Sequence, residues 1–238
     1  MSSYRDLIEQ QLKTFSGIVP VLELEQRVLL PHSQLPLRMT AVADRQLIAD
    51  AINENALVGV NLKQAGNDSQ LEVQQAASVD LVCLASIVSP YQLESGDYSI
   101  LLKGICRAKA IVLQEPDQPD QPYQKALLVS KPDFYADQPV IHRENRQLEL
   151  LEQYAKIYLQ YSTDPTYYHL LHREVSLGKL CDTLASTINM EPALGQLILE
   201  EPDVDLRSDL LLDYLKNHLR YLQRNSFAHT TSIPFSQN

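Results

Sequence analysis

The sequence predicts an α+β chain in which a mostly β half with one internal helix precedes a helical half. Three observations carry that expectation. Between Ile18 and Lys131, apolar residues alternate or run in short blocks, as strands do. Inside that half, "ADRQLIADAINENA" (43–56) switches to helical spacing. After Pro132 the composition shifts, and the remaining apolar residues recur at i, i+3, i+4 and i+7.

Taken in order, residues 3–15 form a short amphipathic helix, with Tyr4, Leu7, Ile8, Leu12 and Phe15 on one side. A strand comes next over Ile18–Leu24. "VLLPHSQLPLRM" (28–39) carries Pro31 and Pro36, then places Leu35, Leu37 and Met39 on one strand face. Proline gives no ladder donor, so these two residues are expected to shape an edge, as scaffold, with any substrate surface elsewhere. In the internal helix, Asp44 is the expected cap and Leu47, Ile48, Ala51 and Ile52 the buried stripe. "ALVGVNLKQ" reads as a strand, and residues 66–70 as a turn cluster. Three strands come next: Val79–Val88, then Tyr98–Lys103 after a Ser95-Gly96 turn, then Ile105–Leu113. A proline-rich loop (115–122) leads to the strand "YQKALLVSK", so 105–131 reads as one hairpin.

In the helical half, Leu148, Leu151, Tyr154, Ala155 and Tyr158 form a stripe on a helix that stops near Ser162–Pro165. Ser176 caps the next helix, whose stripe is Leu177, Leu180, Cys181, Leu184 and Ile188. Pro192 opens another. The last has acids in its first turn (Asp203, Asp205) and bases in its last (Lys216, His218, Arg220), as the helix dipole favours. Its stripe is Leu206, Leu210, Leu211, Tyr214, Leu215, Leu219 and Leu222. The expected organisation is an N-terminal helix or arm (1–16), a β domain (17–132), a helical subdomain (133–224) and a flexible tail (225–238).

Composition narrows the function. A net charge of −10 repels phosphate backbones, so nucleic acid is a disfavoured partner. With seven glycines there is no G-x-G-x-x-G or G-x-x-x-x-G-K-[ST], which removes the common nucleotide-binding loops and leaves no cofactor implied. Cys83, Cys106 and Cys181 are far apart and read as buried thiols, not a zinc or disulfide framework. The N-terminus lacks an apolar signal core and no run approaches the ~20 residues of a membrane span, so a cytoplasmic protein is expected.

Individual side chains point the same way. His169 and His172 are spaced i, i+3 near Glu174, but a zinc site needs a third ligand, and solvated histidines are the expectation. No G-x-S-x-G elbow exists, and Ser99 and Ser176 fall in strand and cap contexts, so no catalytic residue is assigned. Arg38 and Arg107 could hold a carboxylate; with 30 acids in the chain, structural ion pairs are the expectation. Twelve tyrosines and no tryptophan leave the aromatics as the candidate contacts. Tyr91 sits at a strand end, Phe134 and Tyr135 in the connector, and Tyr167 and Tyr168 in the first helical loop. An apolar body with a polar tip suits a wet contact surface, and sealing a domain junction is the competing use.

The order of segments resembles the LON domain, the N-terminal substrate-recognition domain of the ATP-dependent Lon protease. Four pieces carry the resemblance: "PVLELEQRVLLPHSQLPLRM"; "DRQLIADAI"; "VCLASIVSPYQLESGDYSILLKGICRAKAI", closing in G-x-x-R from Gly104 to Arg107; and "SLGKLCDTLASTINMEPALGQLILEEPDVDLRSDLLLDYL", with Asp203 and Arg207 in an acid-x-x-x-Arg start. Together they span about residues 17–222. The resemblance implies a PUA-like β-barrel followed by a helical bundle. The family's ATPase and Ser–Lys protease modules find no counterpart before Asn238. The resemblance therefore implies a stand-alone, non-enzymatic protein, expected to bind polypeptide segments or a protein partner through an apolar and aromatic groove between its halves. A separate ATPase or protease is an expected collaborator. The alternative is small-molecule or RNA binding by the barrel.

Overall fold

A computed structural model describes residues 4–63, 81–114, 122–158, 175–188 and 190–230. Two compact units emerge, one of residues 1–133 with 185–202, the other of residues 134–184 with 203–238.

The first unit is built on a closed sheet. Its strands are β1 (Ile18–Leu24), β2 (Gln34–Met39), β3 (Leu57–Leu62), β4 (Leu81–Ile87), β5 (Tyr91–Gln92), β6 (Tyr98–Gln114) and β7 (Lys125–Ser130). The order β6-β4-β3-β1-β7 returns to β6, which closes a barrel, while β2 and β5 extend β6 outward. All pairings are antiparallel except β1 with β3. That parallel pair needs a crossover, and α2 (Val42–Glu54) lies within it. Val19, Leu57, Val82, Leu84, Ala108, Ala110, Ala126 and Leu128 fill the interior. Three alanines among eight residues fit a bore too narrow for larger side chains everywhere. This is the α+β class that the sequence predicts, with the barrel that the resemblance implies.

Local chemistry explains the elements. The run "VCLASI" is buried at every position, as expected of a strand covered on both faces. Ser86 on that strand donates to the Gln11 Oε1 at 2.6 Å, which seats α1 (Tyr4–Lys13) on β4. Gly96 takes φ +85° in the turn before β6, where a left-handed residue is required. Arg38 pairs with Asp97 at 2.8 Å, the structural ion pair anticipated for it.

Two local expectations are corrected. Asp44 is not the cap of α2; Ala41 occupies that position, and Asp44 lies in the first turn. Burial pushes the Asp44 carboxyl up, opposed by Lys63. The strands expected at Tyr98–Lys103 and Ile105–Leu113 are one strand, β6, of 17 residues. The gap between them is a bulge: Leu84 pairs with Cys106 and Ala85 with Gly104, leaving Ile105 as the extra residue.

The second unit contains α3 (Arg143–Tyr158), the start of α4 (Leu177–Thr187) and α6 (Val204–Thr230). α5 (Pro192–Glu200) belongs to the first unit. α3 and α6 run parallel, tied by Arg143–Asp205 at 2.8 Å, Arg146–Asp209, and Glu149–Lys216 at 2.7 Å. Beyond them, the Tyr158 ring stacks on His218 at 6.2 Å. Burial pushes the Tyr158 hydroxyl up, helped by Tyr214 beside it. α4 holds its stripe as expected, and Ser176 caps it through a 3.4 Å bond from the Lys179 amide.

The stripes on α3 and α6 hold at Leu151, Tyr154, Leu211 and Leu215 and differ at their starts. Leu148 is 45% exposed while Leu150 is buried, and Leu206 is 53% exposed while Val204, Arg207 and Ser208 are buried. The reason on α6 is a charge on the buried face. Arg207 and its partner Asp182 are both fully buried, 3.7 Å apart. α6 also continues past Arg224 to Thr230.

Candidate functional site

The first unit contains a cleft of about 260 Å³ with two walls. One is the link from β1 into β2, with Gln26, Arg27, Val28, Leu30 and Leu35. The other is the end of α4 and the start of α5, including Ile188, Met190, Glu191 and Pro192. From the proline stretch, Val28, Leu30 and Leu35 line the cleft, while Pro31 and Pro36 do not and shape the turn behind it.

Its shape comes from Leu30-Pro31-His32-Ser33. Proline's fixed φ suits the second position of a turn, and His32 supplies the positive φ, +64°, at the third. The Ser33 amide closes the turn on the Leu30 carbonyl at 3.3 Å, and the Ser33 hydroxyl donates to the same oxygen at 2.6 Å. The His32 amide donates to the Gly104 carbonyl at 2.9 Å, and the Gly104 amide donates to the Ser33 carbonyl at 3.0 Å. Two residues thus face one, the pattern of a bulge whose first position is left-handed.

Gly104 is required for this crossing. A Cβ there would lie 2.1 Å from the Leu30 carbonyl oxygen and 3.1 Å from the Cys83 Sγ. Three residues on, Arg107 is 3% exposed and braces the opposite wall. Its Nε donates to the Leu199 carbonyl at 2.9 Å and an Nη to Ile198 at 3.1 Å. The other Nη reaches Asp133 at 3.3 Å. The last carbonyls of a helix lack intrahelical donors, so one guanidinium completes the end of α5. The Gln196 amide adds a 3.3 Å bond to the Leu81 carbonyl on β4. The G-x-x-R of β6 therefore holds both walls: its glycine admits the proline turn, and its arginine fastens α5. The walls meet where Val28 passes Gly195, at which a Cβ would come within 3.3 Å of the Val28 Cβ.

The aromatics singled out from sequence stand in different surroundings. Tyr91, on β5 in the first unit, is 66% exposed. In the second unit, Phe134 is 55% exposed and its carbonyl accepts from the Val204 amide at 3.1 Å. Tyr135, also in the second unit, has Arg143 5.1 Å over its ring, and its hydroxyl accepts from the Gly178 amide at 3.2 Å. Tyr167, Tyr168, His169 and His172 lie outside the described residues. Sequence reasoning did not single out Arg27, Met190 or Glu191. The signal that could have found one wall is the proline stretch, which contributes Val28, Leu30 and Leu35. Among the described residues, His, Cys, Asp and Glu do not gather in threes around a metal-sized space, and no helix is long and apolar enough to cross a membrane.

Fold and cleft together define a barrel-and-helix module. The chain belongs to the family described as the ATP-dependent protease La (LON) substrate-binding domain, whose pattern matches residues 18–217. It is similar to Lon protease 2 of Myxococcus xanthus, 24% identical over 215 residues that make up 87% of this chain and 24% of the relative. It is equally similar to the Lon protease of Escherichia coli K12, 24% identical over 206 residues, 86% of this chain and 25% of that one. The chain thus spans about a quarter of the length of these relatives. Among solved structures, it resembles the N-terminal domain of the Mycobacterium avium complex Lon protease, with a TM-score of 0.58, 16% identity, and coverage of 84% of this chain and 99% of that one. A Lon N-terminal domain protein from Xanthomonas campestris gives a TM-score of 0.56 at 17% identity, covering 83% and 98%.

Proposed function

We propose that this domain binds polypeptide through apolar and aromatic contact and makes or breaks no bond itself. Substrate recognition in the general sense comes with the family. The observation that carries the finer reading is the set of large apolar side chains left in solvent, among them Tyr91, Phe134, Tyr135, Val140 and Leu197. Val140 is fully exposed in "QPVIH", where it gains nothing for folding. Burying such groups against an unfolded segment yields ~25 cal/mol per Å², most of it offset by the cost of ordering that segment. Affinity for any one segment is therefore weak. We assign contacts to Tyr91, Phe134 and Tyr135, and on sequence alone to Tyr167 and Tyr168. The relatives are proteases of which this chain matches a quarter, so hydrolysis falls to a module or partner outside the domain.

Small-molecule binding has less support at this cleft, which is below the roughly 300–1,000 Å³ of ordinary ligand pockets. A charge of −10 opposes RNA.

The test is fluorescence anisotropy with a labelled, reduced and alkylated unfolded polypeptide. Binding in the micromolar range is expected, weakened about three- to tenfold by Tyr91→Ala combined with Phe134→Ala, as for exposed aromatic contacts. An unchanged signal at several hundred micromolar protein refutes the proposal.

A further inference from the structure

We infer that the cleft between the β1–β2 link and the start of α5 is a side-chain socket for an extended polypeptide segment, one that carries an apolar residue flanked by a base and an acid. The inference rests on the polypeptide-binding reading and deepens it. The site it names was not among the aromatic contacts assigned above.

Three features carry it. The first is size. At about 260 Å³, the cleft accommodates one or two side chains and is too small for most cofactors. The second is the lining. Val28, Leu35 and Met190 offer apolar contact within a lining that is otherwise mostly polar, and an unbranched thioether adapts to differing partners. The third is charge. Arg27 on one wall and Glu191 on the other form no ion pair with each other, nor with any other group among the described residues. Several other charges in this unit are paired locally, Arg38 with Asp97, Lys63 with Glu25 and Lys125 with Glu54, whereas the two rim charges stay available to an incoming chain. Two opposed charges at the rims of one cleft suit an incoming chain that brings a base to Glu191 and an acid to Arg27. The walls that present them are fastened to the barrel by Gly104 and Arg107, so binding needs little reorganisation.

The experiment is a coupling measurement on the intact chain by fluorescence anisotropy. The probe is a labelled twelve-residue peptide with a central Lys-Leu-Glu, alongside versions with Gln for Lys or Gln for Glu. Each is titrated with wild type, Glu191→Lys, Arg27→Glu and, as a control of equal charge change elsewhere, Glu94→Lys. Glu191→Lys is expected to cost about two- to fivefold with the lysine peptide and little with its Gln version, the size of a rim charge pair. Arg27→Glu is expected to show the same coupling to the peptide's glutamate. Arg27, Glu94 and Glu191 are all exposed, and matched circular dichroism melts verify folding. Coupling below about 1.5-fold at both residues, or equal effects from Glu94→Lys, overturns the socket assignment. If the wild type binds the alkylated polypeptide while these couplings are absent, only the socket fails. If it binds neither polypeptide nor peptide, the general reading fails as well.

Discussion

Replacing Arg107 with methionine keeps most of the side-chain volume and removes every donor. The Leu199 and Ile198 carbonyls, at 2.9 and 3.1 Å from the guanidinium, are then left at a buried helix end. A buried ion pair can be replaced at no loss when both partners become apolar. Here the acceptors are backbone carbonyls and cannot be removed. Hydrogen bonds to a charged donor contribute about 1.5–3 kcal/mol each, and an orphaned buried acceptor costs about 1–3 kcal/mol. Asp133 keeps access to water and adds little. Removing the cation also removes its own desolvation cost, so the two carbonyl losses do not sum in full. The expected destabilisation is about 3–5 kcal/mol, a large part of the ~5–15 kcal/mol that holds a typical domain together. Arg107→Lys keeps the charge but lacks the fork, and should fall between wild type and Arg107→Met. Guanidinium denaturation followed by circular dichroism measures the change, and hydrogen exchange locates it. The expected signature is a lower midpoint with loss of amide protection in α5. A loss under about 1 kcal/mol, with α5 protection unchanged, would refute the reasoning, since it lies below a single charged hydrogen bond.

Single contacts elsewhere give further expected outcomes. Gly104→Ala forces backbone apart, because its Cβ would stand 2.1 Å from the Leu30 oxygen; a loss above about 2 kcal/mol and a distorted cleft are expected in thermal melts and in peptide binding. Asp182→Asn removes the buried carboxylate that faces Arg207 and should cost about 3–5 kcal/mol, much of it recovered when Arg207→Met is added; a double variant no better than Asp182→Asn would refute the pairing. The hydrogen bond from Arg38 holds the Asp97 carboxyl below its usual value of 3.8. A depressed folded pKa gives stability that is present above the unfolded value and lost as pH falls through the folded one. Asp97→Asn should therefore be less stable than wild type at pH 7, with the difference closing below about pH 3; a constant gap across pH 2–7 would contradict this.

Strands were legible where one face is wet. Ile18–Leu24 and the antiparallel pairing of β7 with β6 appear as expected because alternation survives there. A glycine between two apolar runs does not reveal from sequence that one strand continues through it, and here Gly104 lets another backbone cross. On α6, apolar spacing alone runs the stripe through Leu206, whereas the buried face at that turn carries Arg207. A paired buried cation is invisible to hydrophobic periodicity. The cleft was half legible. Pro31 and Pro36 announced an unusual stretch, but Met190 and Glu191 lie over 150 residues downstream in an ordinary helix connection. No local pattern joins the two. The resemblance carried by G-x-x-R did point to the joint, although the motif's physical role became clear only once its neighbours in space were known.

The return of residues 185–202 to the barrel has a practical consequence for anyone who would cut this polypeptide. A fragment stopping near residue 132 would contain every strand and look complete on paper. It would nonetheless strip β4 of its helical cover and leave Arg107 a charged group in search of carbonyls that were never synthesised with it. Translation faces the same order of events: the band that girdles the staves arrives only after some fifty further residues have left the ribosome, and until then the sheet is exposed to whatever else is nearby.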